Sequence, residues 1–235
     1  MQSDVGLIGL PQPKRLALAD SVADSIAEAI SMRILEPGER IVETTLVDKL
    51  GVSRVPVREA LKVLHAQGIL SGGGHRGYRV AAFDGAVTQQ IMEVRLSLES
   101  FLLRDAIENW RKGVGSTDVL EAPIARMLVS AKAEDMRSSL VADLEFHRAI
   151  RIAARNAIVG TLWDTIARHV LIVFNFDRYR DTNLAAIPKQ HQQFRDWIVA
   201  QVAKPETPFE EIQSALEDHM LLIERKTREK AKVRR

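Results

Sequence analysis

In the N-terminal part of the chain, hydrophobic residues recur with helical spacing and then in short runs separated by glycine. Val22, Ile26 and Ile30 step by four between charged residues, which predicts an amphipathic helix that ends before the turn at Pro37-Gly38. In chain order the pattern predicts a helix over 16–34, a very short strand over 40–42, a short helix over 44–50, a third helix beginning after Gly51, and a glycine-tipped hairpin between Gly68 and Val80.

The third predicted helix has one apolar face and one cationic face. The apolar face consists of Val57, Leu61 and Leu64, and the cations, four apart, are Arg54, Arg58 and Lys62. Ser53 stands where it can cap this helix, and Pro56 falls in the first turn, where a missing N–H costs little. The arginines therefore lie near the helix start, the end that contacts bases when a recognition helix enters a DNA major groove. Taken alone, the pattern also fits an ordinary solvated cationic face.

From Asp84 onward the apolar periodicity is helical. The predicted helices cover 86–111, 118–133, 137–154, 157–176, 186–203 and 208–230. Short connections predict an antiparallel bundle of about six helices, so the fold class is mainly α. The β-prone segment from Val170 to Phe176 is interpreted as helical because its neighbours are helical. The bundle core is expected to include Leu96, Leu103, Leu140, Leu144, Leu162, Ile166, Phe194, Ile198, Leu216 and Ile223.

The composition is that of a globular protein, with 46% hydrophobic and 27% charged residues in 235 positions, enough for two modest domains. The formal net charge of +2 conceals a segregation of charge. Residues 14–82 carry 10 Lys/Arg and 8 Asp/Glu, residues 83–224 carry 16 and 21, and residues 225–235 carry 7 and 1. A polyanion is therefore expected to bind the ends of the chain. The basic tail is interpreted as a solvated helix end, with an additional phosphate contact as the alternative.

The absence of cysteine rules out disulfides and thiolate metal sites, and it fits a reducing cytoplasm. No apolar run approaches the roughly 20 residues that span a bilayer. The N-terminus lacks a basic segment followed by an apolar one, so no secretory signal is expected. The sequence therefore predicts a cytoplasmic protein without membrane association.

The order of the N-terminal segments carries a family resemblance. The segments are Pro37-Gly38-Glu39-Arg40, Gly51-Val52-Ser53-Arg54, Pro56-Val57-Arg58-Glu59-Ala60-Leu61, Gly68-Ile69-Leu70 and Arg76-Gly77-Tyr78-Arg79-Val80. In order and spacing they resemble the N-terminal domain of GntR-family bacterial transcription regulators, over about Val22 to Ala82. The resemblance implies a winged helix-turn-helix, and it makes nucleic-acid recognition the preferred interpretation of the cationic helix.

The resemblance assigns DNA-binding roles to Thr44, Ser53, Arg54, Val55, Arg58, His75, Arg76 and Gly77. The two arginines could contact guanine directly, because an arginine fork fits the O6 and N7 acceptors. The hydroxyls of Thr44 and Ser53 could hold phosphates, which sets register rather than sequence. The wing-tip residues would face the minor groove, and Val55 would meet a thymine methyl or nothing.

Four residues of the second domain have metal-ligand character: Asp143, His147, His191 and His219. Asp143 and His147, four residues apart, share one face of one predicted helix. Each taken singly fits a structural role better. As a set they resemble the ligands of the all-helical effector (FCD) domain in the FadR-type branch of the GntR family. The resemblance implies a divalent metal ion, with zinc first and nickel, manganese or iron as further candidates. A metal-free pocket is the alternative.

Arg95 and Asn156 also match residues of that effector domain, in a looser resemblance that spans about Thr88 to Glu224. A small carboxylate metabolite could then bind the metal, with Arg95 as its charge partner and Asn156 as a hydrogen-bond donor. Alternatively, Arg95 forms an ion pair with Glu99, its neighbour four residues on. His65 and His169 show no partner pattern and are expected to be structural.

The sequence therefore predicts a homodimeric transcription regulator, most often a repressor in this family, whose two recognition helices bind a palindromic double-stranded operator under effector control. An enzyme is not expected; the alternative is a metal-dependent hydrolase domain fused to a DNA-binding head. The expected boundaries are a flexible arm over 1–15, the DNA-binding domain over 16–82, a linker over 83–87, the effector and dimerisation domain over 88–224, and the basic tail over 225–235.

Overall fold

The computed structural model describes residues 14–73, 77–175 and 184–220, with the backbone alone at 14–17 and 174–175. The chain divides into two compact units: residues up to 30 together with 35–82, and residues 31–34 together with those from 83 onward. The elements of the first unit are α1 (Lys14–Ser31), β1 (Arg40–Ile41), α2 (Glu43–Leu50), α3 (Arg54–Ala66), β2 (Leu70–Gly72) and β3 (Tyr78–Val80). Of the predicted arm over 1–15, residues 1–13 lie outside the described residues and the last two begin α1; the predicted tail over 225–235 lies wholly outside them.

The first unit packs its helices around an apolar core next to a small antiparallel sheet in the order β1-β3-β2. The pairing places Arg40 opposite Arg79 and Leu70 opposite Val80. The apolar stripes predicted for α1 and α3 are buried throughout: Val22, Ile26, Ile30, Val57, Leu61 and Leu64. Burial of these two stripes leaves the cationic side of α3 towards solvent.

The turn between α2 and α3 contains a glycine that ends α2 and a serine that precedes α3. Gly51 ends α2 in the left-handed region, with φ 65° and ψ 28°, and its N–H donates to Val47 O. Ser53 has the extended backbone of an N-cap residue, but its hydroxyl makes no capping hydrogen bond. The prediction that this side chain caps α3 is therefore wrong, while Pro56 does lie buried in the first turn.

The hairpin of the first unit is closed by backbone contacts that only glycine permits. Gly72 has φ +86°, and a Cβ added there would lie 2.6 Å from the carbonyl oxygen of Gly77. The N–H of Gly73 donates to the same oxygen at 2.8 Å. The conformation of the wing therefore depends on the missing side chain at position 72.

Gly72→Ala is expected to destabilise the wing by at least about 1 kcal/mol more than Gly51→Ala. Both positions have positive φ, so both variants incur left-handed strain, but a Cβ at Gly51 would meet nothing within 4 Å. Native-state hydrogen exchange at the Gly73 amide, compared between the two variants, measures the difference. Equal losses of protection would contradict the role of the Gly72–Gly77 contact.

The second unit is a helical bundle, and its described residues contain no strand. Its elements are α4 (Gly85–Arg111), a short 3-10 helix (Thr117–Leu120), α5 (Glu121–Lys132), α6 (Met136–Ala154), α7 (Ala157–Asn175), α8 (Ala186–Val202) and a helical segment over 209–220, here α9. The β-prone segment is helical from Val170 to Asn175, as predicted. Across the described part of the chain, no helix is both long enough and apolar enough to cross a membrane.

Of the predicted core residues that the structure describes, all but Leu162 on α7 lie in or against the core. Five predicted residues are buried (Leu103, Leu140, Phe194, Ile198 and Leu216), and three more pack partly buried against the core or a satellite cluster (Leu96, Leu144 and Ile166). Leu162 is 53% exposed, whereas its neighbour Trp163 is 1% exposed, so the prediction for Leu162 is wrong. Because α7 is apolar on several sides, its periodicity does not decide which of two adjacent residues faces inward. Ile223 lies outside the described residues.

Candidate functional site

Three histidines from three different helices converge inside the bundle. His147 on α6, His191 on α8 and His219 on α9 are all buried, and each offers one nitrogen within 4.8 Å of the others. The ring centroids of His191 and His219 are 4.6 Å apart, and those of His147 and His219 are 5.5 Å apart. Phe146 and Phe194 pack against these rings, with Phe194 stacked on His219 at 4.2 Å. The site is thus a compact imidazole cluster with apolar walls.

Polar contacts fix the orientation of two of these rings. Nδ1 of His191 lies 2.9 Å from the carbonyl oxygen of Ile187, and its Nε2 lies 2.9 Å from Asp143 Oδ1. Nδ1 of His147 lies 2.7 Å from Glu99 Oε2, at ion-pair distance, although the angle does not satisfy that of a hydrogen bond. A metal-binding histidine usually has its second nitrogen held by a carboxylate or a backbone carbonyl. Both rings therefore have their Nδ1 engaged; this leaves Nε2 of His147 as its ligand atom, whereas Nε2 of His191 contacts the carboxylate of Asp143.

A buried ionic network supports the cluster from α4. Arg95 is 1% exposed, and its Nε lies 2.8 Å from Glu99 Oε1, which also accepts a 2.9 Å hydrogen bond from Trp163 Nε1. Nη2 of Arg95 lies 3.9 Å from Asp143 Oδ2. Of the two roles considered for Arg95, the ion pair with Glu99 is therefore formed. Its guanidinium also connects the two carboxylates that contact the histidines.

The carboxylate of Asp143 is held in its ionised form. Burial alone raises the pKa of Asp143, but the contact with His191 and its charge, followed by the charges of His147 and Arg95, outweigh burial. The net result is a pKa well below the usual value for an aspartate. An ionised carboxylate is the form that a metal ion requires.

Two further groups of the network have perturbed ionisation. Burial raises the pKa of Glu99, but the charges of Arg95 and His147 lower it to well below its usual range. Burial, followed by the charges of His191 and His147, lowers the pKa of His219 well below 6.5. His219 is therefore neutral at physiological pH, which is the form that can donate a lone pair to a metal.

The residues present fit a divalent metal ion. Among the described residues, Nδ1 of His219 is buried without a hydrogen-bond partner, which is rare for a polar atom unless an ion or water satisfies it. Three imidazoles and one carboxylate form a donor set that suits zinc, nickel, manganese or iron. The arrangement brings together all four residues that the sequence suggested as ligands.

Asn156, in contrast, does not join this cluster. Its Nδ2 donates to Asp105 Oδ2 at 2.8 Å, and its Oδ1 accepts from the N–H of Val159 at 3.1 Å at the start of α7. Asp105 lies about 15 Å along α4 from Arg95, at about 1.5 Å per residue. The side chain therefore acts as a helix cap here, and the expectation that it donates to a ligand beside the histidines is not met.

The predicted DNA-contacting residues that the structure describes lie at or near the starts of α2 and α3 and on the wing. The side chains of Thr44, Ser53, Arg54, Val55 and Arg58 are exposed, and Gly77 is partly buried beside β3. Val55 is 58% exposed. His75 and Arg76 lie outside the described residues. Among the described positions, Arg58 on α3 reaches the start of α2 through its 2.8 Å contact with Glu43.

Sequence reasoning missed three residues of these sites. Glu99 was considered only as the partner of Arg95, but it also contacts His147. Trp163 holds Glu99 by a hydrogen bond from another helix, and Glu43 pairs with Arg58 at 2.8 Å. The spacing of four from Arg95 was the available signal for Glu99. The other two contacts join residues distant in sequence and leave no local pattern.

Comparison with known proteins gives matches over both units. Residues 18–80 match the family described as bacterial regulatory proteins, gntR family, and residues 90–204 match the FCD domain. Both matches confirm the resemblance that the sequence motifs carried. The matched families and the relatives described below are transcriptional regulators and not enzymes, so the hydrolase alternative finds no support.

Two curated relatives and one solved structure illustrate the similarity. The probable D-xylose utilization operon transcriptional repressor of Paenarthrobacter nicotinovorans is 29% identical over 159 residues, 68% of this chain and 69% of the relative. The gluconate operon transcriptional repressor of Bacillus subtilis is 32% identical over 153 residues, but the match spans only 58% of its length and 60% of this chain. The structure of E. coli McbR/YncC has a TM-score of 0.71 at 21% identity and covers 89% of this chain and 98% of its own. This last match confirms the predicted fold class.

Proposed function

Because this chain belongs to the GntR family of bacterial transcription regulators, with an FCD domain following the DNA-binding domain, we propose that it is a metabolite-responsive repressor. It would bind a palindromic operator as a homodimer in the cytoplasm, one recognition helix per half-site. The observation that carries the effector half of this proposal is the buried cluster of His147, His191 and His219 beside Asp143. The relatives described above are repressors by name, which supports the sign of regulation.

The operator would be contacted by the exposed surface at the starts of α2 and α3. Arg54 and Arg58 would contact guanine, while Thr44 and Ser53 would hold phosphates. The hydroxyl of Ser53 makes no capping bond, so it is available for such a contact. Val55 would meet a thymine methyl, and Gly77, with the wing-tip residues His75 and Arg76, would approach the minor groove. The exposure of the described side chains supports these roles.

The metal would be held by Asp143, His147, His191 and His219, and it would provide open coordination positions for a small carboxylate. Charge supports this class of effector. Metal ligation uses neutral imidazoles, so with a divalent ion bound, the ion, Arg95 and the carboxylates of Glu99 and Asp143 would sum to one positive charge. A carboxylate would therefore be attracted to the loaded site and could coordinate the ion directly.

A cavity of about 470 Å³ between α8 and α9 has the size of a small-metabolite pocket. His219 forms part of its wall, together with Phe194 and Trp197. The described lining includes Glu211 and Asp218 but no cation. The charge of a carboxylate would therefore have to be met by the metal ion and by Arg95, and not by the wall of this pocket.

Gluconate and D-xylose, a carboxylate and a neutral sugar, are suitable probes because operons of two relatives are named for these compounds. We expect gluconate, or another small carboxylate, to bind the zinc-loaded protein but not the chelated protein, and D-xylose to bind neither. Calorimetry measures the binding, and operator affinity is expected to change by about 5–150-fold on effector binding. Sedimentation of the operator complex should give two chains per palindrome. Carboxylate binding that survives chelation would contradict the metal-anchored effector site.

A further inference from the structure

The exposed arginine of the recognition helix has a partner on the preceding helix. Nε of Arg58 lies 2.8 Å from Oε2 of Glu43, the first residue of α2. The side chains remain 58% and 36% exposed, respectively. Exposed ion pairs contribute little to stability. The effect of this contact must therefore be sought in what it does to the position of the guanidinium.

The atoms involved leave the recognition edge of the arginine available. The contact uses Nε–H, so it does not consume the N–H groups of the two terminal nitrogens. Those nitrogens form the fork that fits O6 and N7 of guanine. A guanidinium held at Nε has its plane fixed, so less side-chain entropy is lost when the fork engages a base.

We propose that Glu43 is a specificity-determining positioning residue, which orients Arg58 for base recognition without contacting the base itself. This inference rests on the proposed role of Arg58 in operator binding. The carboxylate acts in a second way, because its negative charge opposes non-specific attraction to phosphates. Both effects raise the ratio of specific to non-specific affinity.

A second ion pair on the same helix provides a matched control. Nζ of Lys62 lies 2.9 Å from Oε1 of Glu59, and these side chains are 64% and 52% exposed. Glu59→Ala therefore removes the same charge, from a similarly exposed pair, without altering the partner of Arg58. A difference between Glu43→Ala and Glu59→Ala isolates the effect of positioning from that of charge.

The test begins with selection of an operator by the full-length wild-type protein from a pool of randomised duplexes. Dissociation constants are then measured for this operator and for a scrambled duplex, with Glu43→Ala, Glu59→Ala, Arg58→Ala and the Glu43→Ala/Arg58→Ala double variant. Glu43→Ala is expected to lower the specificity ratio about tenfold, and the double variant to be no worse than Arg58→Ala. Glu43→Gln, which keeps an acceptor oxygen, is expected to retain part of the ratio.

The possible failures are distinguishable. If Glu43→Ala changes both affinities as Glu59→Ala does, or if its effect adds fully to that of Arg58→Ala, the positioning role is overturned while the proposed function stands. If Arg58→Ala leaves the ratio unchanged, the proposed role of Arg58 is overturned, and this inference with it. Thermal unfolding by circular dichroism verifies that each variant remains folded, since Glu43 also stands in the first turn of α2.

Discussion

Arg95→Met is expected to lower the free energy of unfolding of the helical unit by about 3–5 kcal/mol, because it removes the guanidinium that pairs with the buried carboxylate of Glu99. The guanidinium lies 2.8 Å from Glu99 and 3.9 Å from Asp143, and Arg95 is 1% exposed. Methionine fills a similar volume, so the loss reports charge rather than a cavity. Of the contacts that offset the burial of Glu99, only those with His147 and Trp163 would then remain.

The same substitution is expected to alter the pH dependence of stability. The lowered pKa of Glu99 contributes stability that is present above its unfolded value, near 4.3, and is lost as the pH falls through the folded value. Without Arg95, the pKa of Glu99 in the folded state rises. Keeping Glu99 ionised at neutral pH then destabilises the folded state, and protonation of Glu99 removes this destabilisation. The difference in free energy of unfolding between Arg95→Met and the wild-type protein is therefore largest near pH 7 and becomes smaller below about pH 4.

Urea denaturation followed by tryptophan fluorescence measures this loss, since all three tryptophans (Trp110, Trp163 and Trp197) lie in the helical unit. Arg104→Met is the matched control on the same helix, because Arg104 pairs with Asp105 at the surface and should cost no more than about 1 kcal/mol. The Arg95→Met/Glu99→Met double variant should lose less than the sum of its single variants. Equal losses for Arg95→Met and Arg104→Met would contradict the buried network.

The sequence predicted well those helices whose apolar residues repeat with helical periodicity. Long amphipathic helices such as α4 and α6 repeat their apolar pattern over several turns, and the predicted bounds differ from those observed by one residue. Helix α7 shows the limit of this reasoning. Its consecutive apolar residues allowed Leu162 to be chosen, whereas packing in three dimensions places Trp163 inside.

In the candidate site, too, local spacing could be predicted from the sequence, whereas contacts between helices could not. The spacing of Asp143 and His147 is local, but the contacts of His147 with Glu99 and of Arg58 with Glu43 join separate helices and depend on the fold. Asn156 was assigned by family resemblance alone. Its place directly before α7 was a local capping signal, and the structure shows the corresponding bond to Val159. The family resemblance correctly pointed to the histidine cluster, whereas the role of Asn156 follows from its position at the start of α7.

His191→Ala is expected to abolish stabilisation of the helical unit by zinc. Zinc that binds only the folded state adds about 4 kcal/mol of stability when its concentration is about 1,000 times the dissociation constant. His191 is central to the donor set, because its ring lies 4.6 Å from that of His219 and its Nε2 lies 2.9 Å from Asp143. Its loss removes one imidazole ligand and the 2.9 Å contact of Asp143 with Nε2.

The measurement compares unfolding of chelated and zinc-loaded protein for each variant, with metal content determined in parallel. His169→Ala is the control, since His169 on α7 contacts Phe83 at a ring distance of 6.5 Å and is not part of the cluster. This variant should keep the full response to zinc. The assignment fails if the wild-type protein gains no stability from any of the four candidate metals, or if His191→Ala responds as His169→Ala does. A response lost in His191→Ala but kept in His169→Ala would assign the stabilisation to a site that includes His191 on α8.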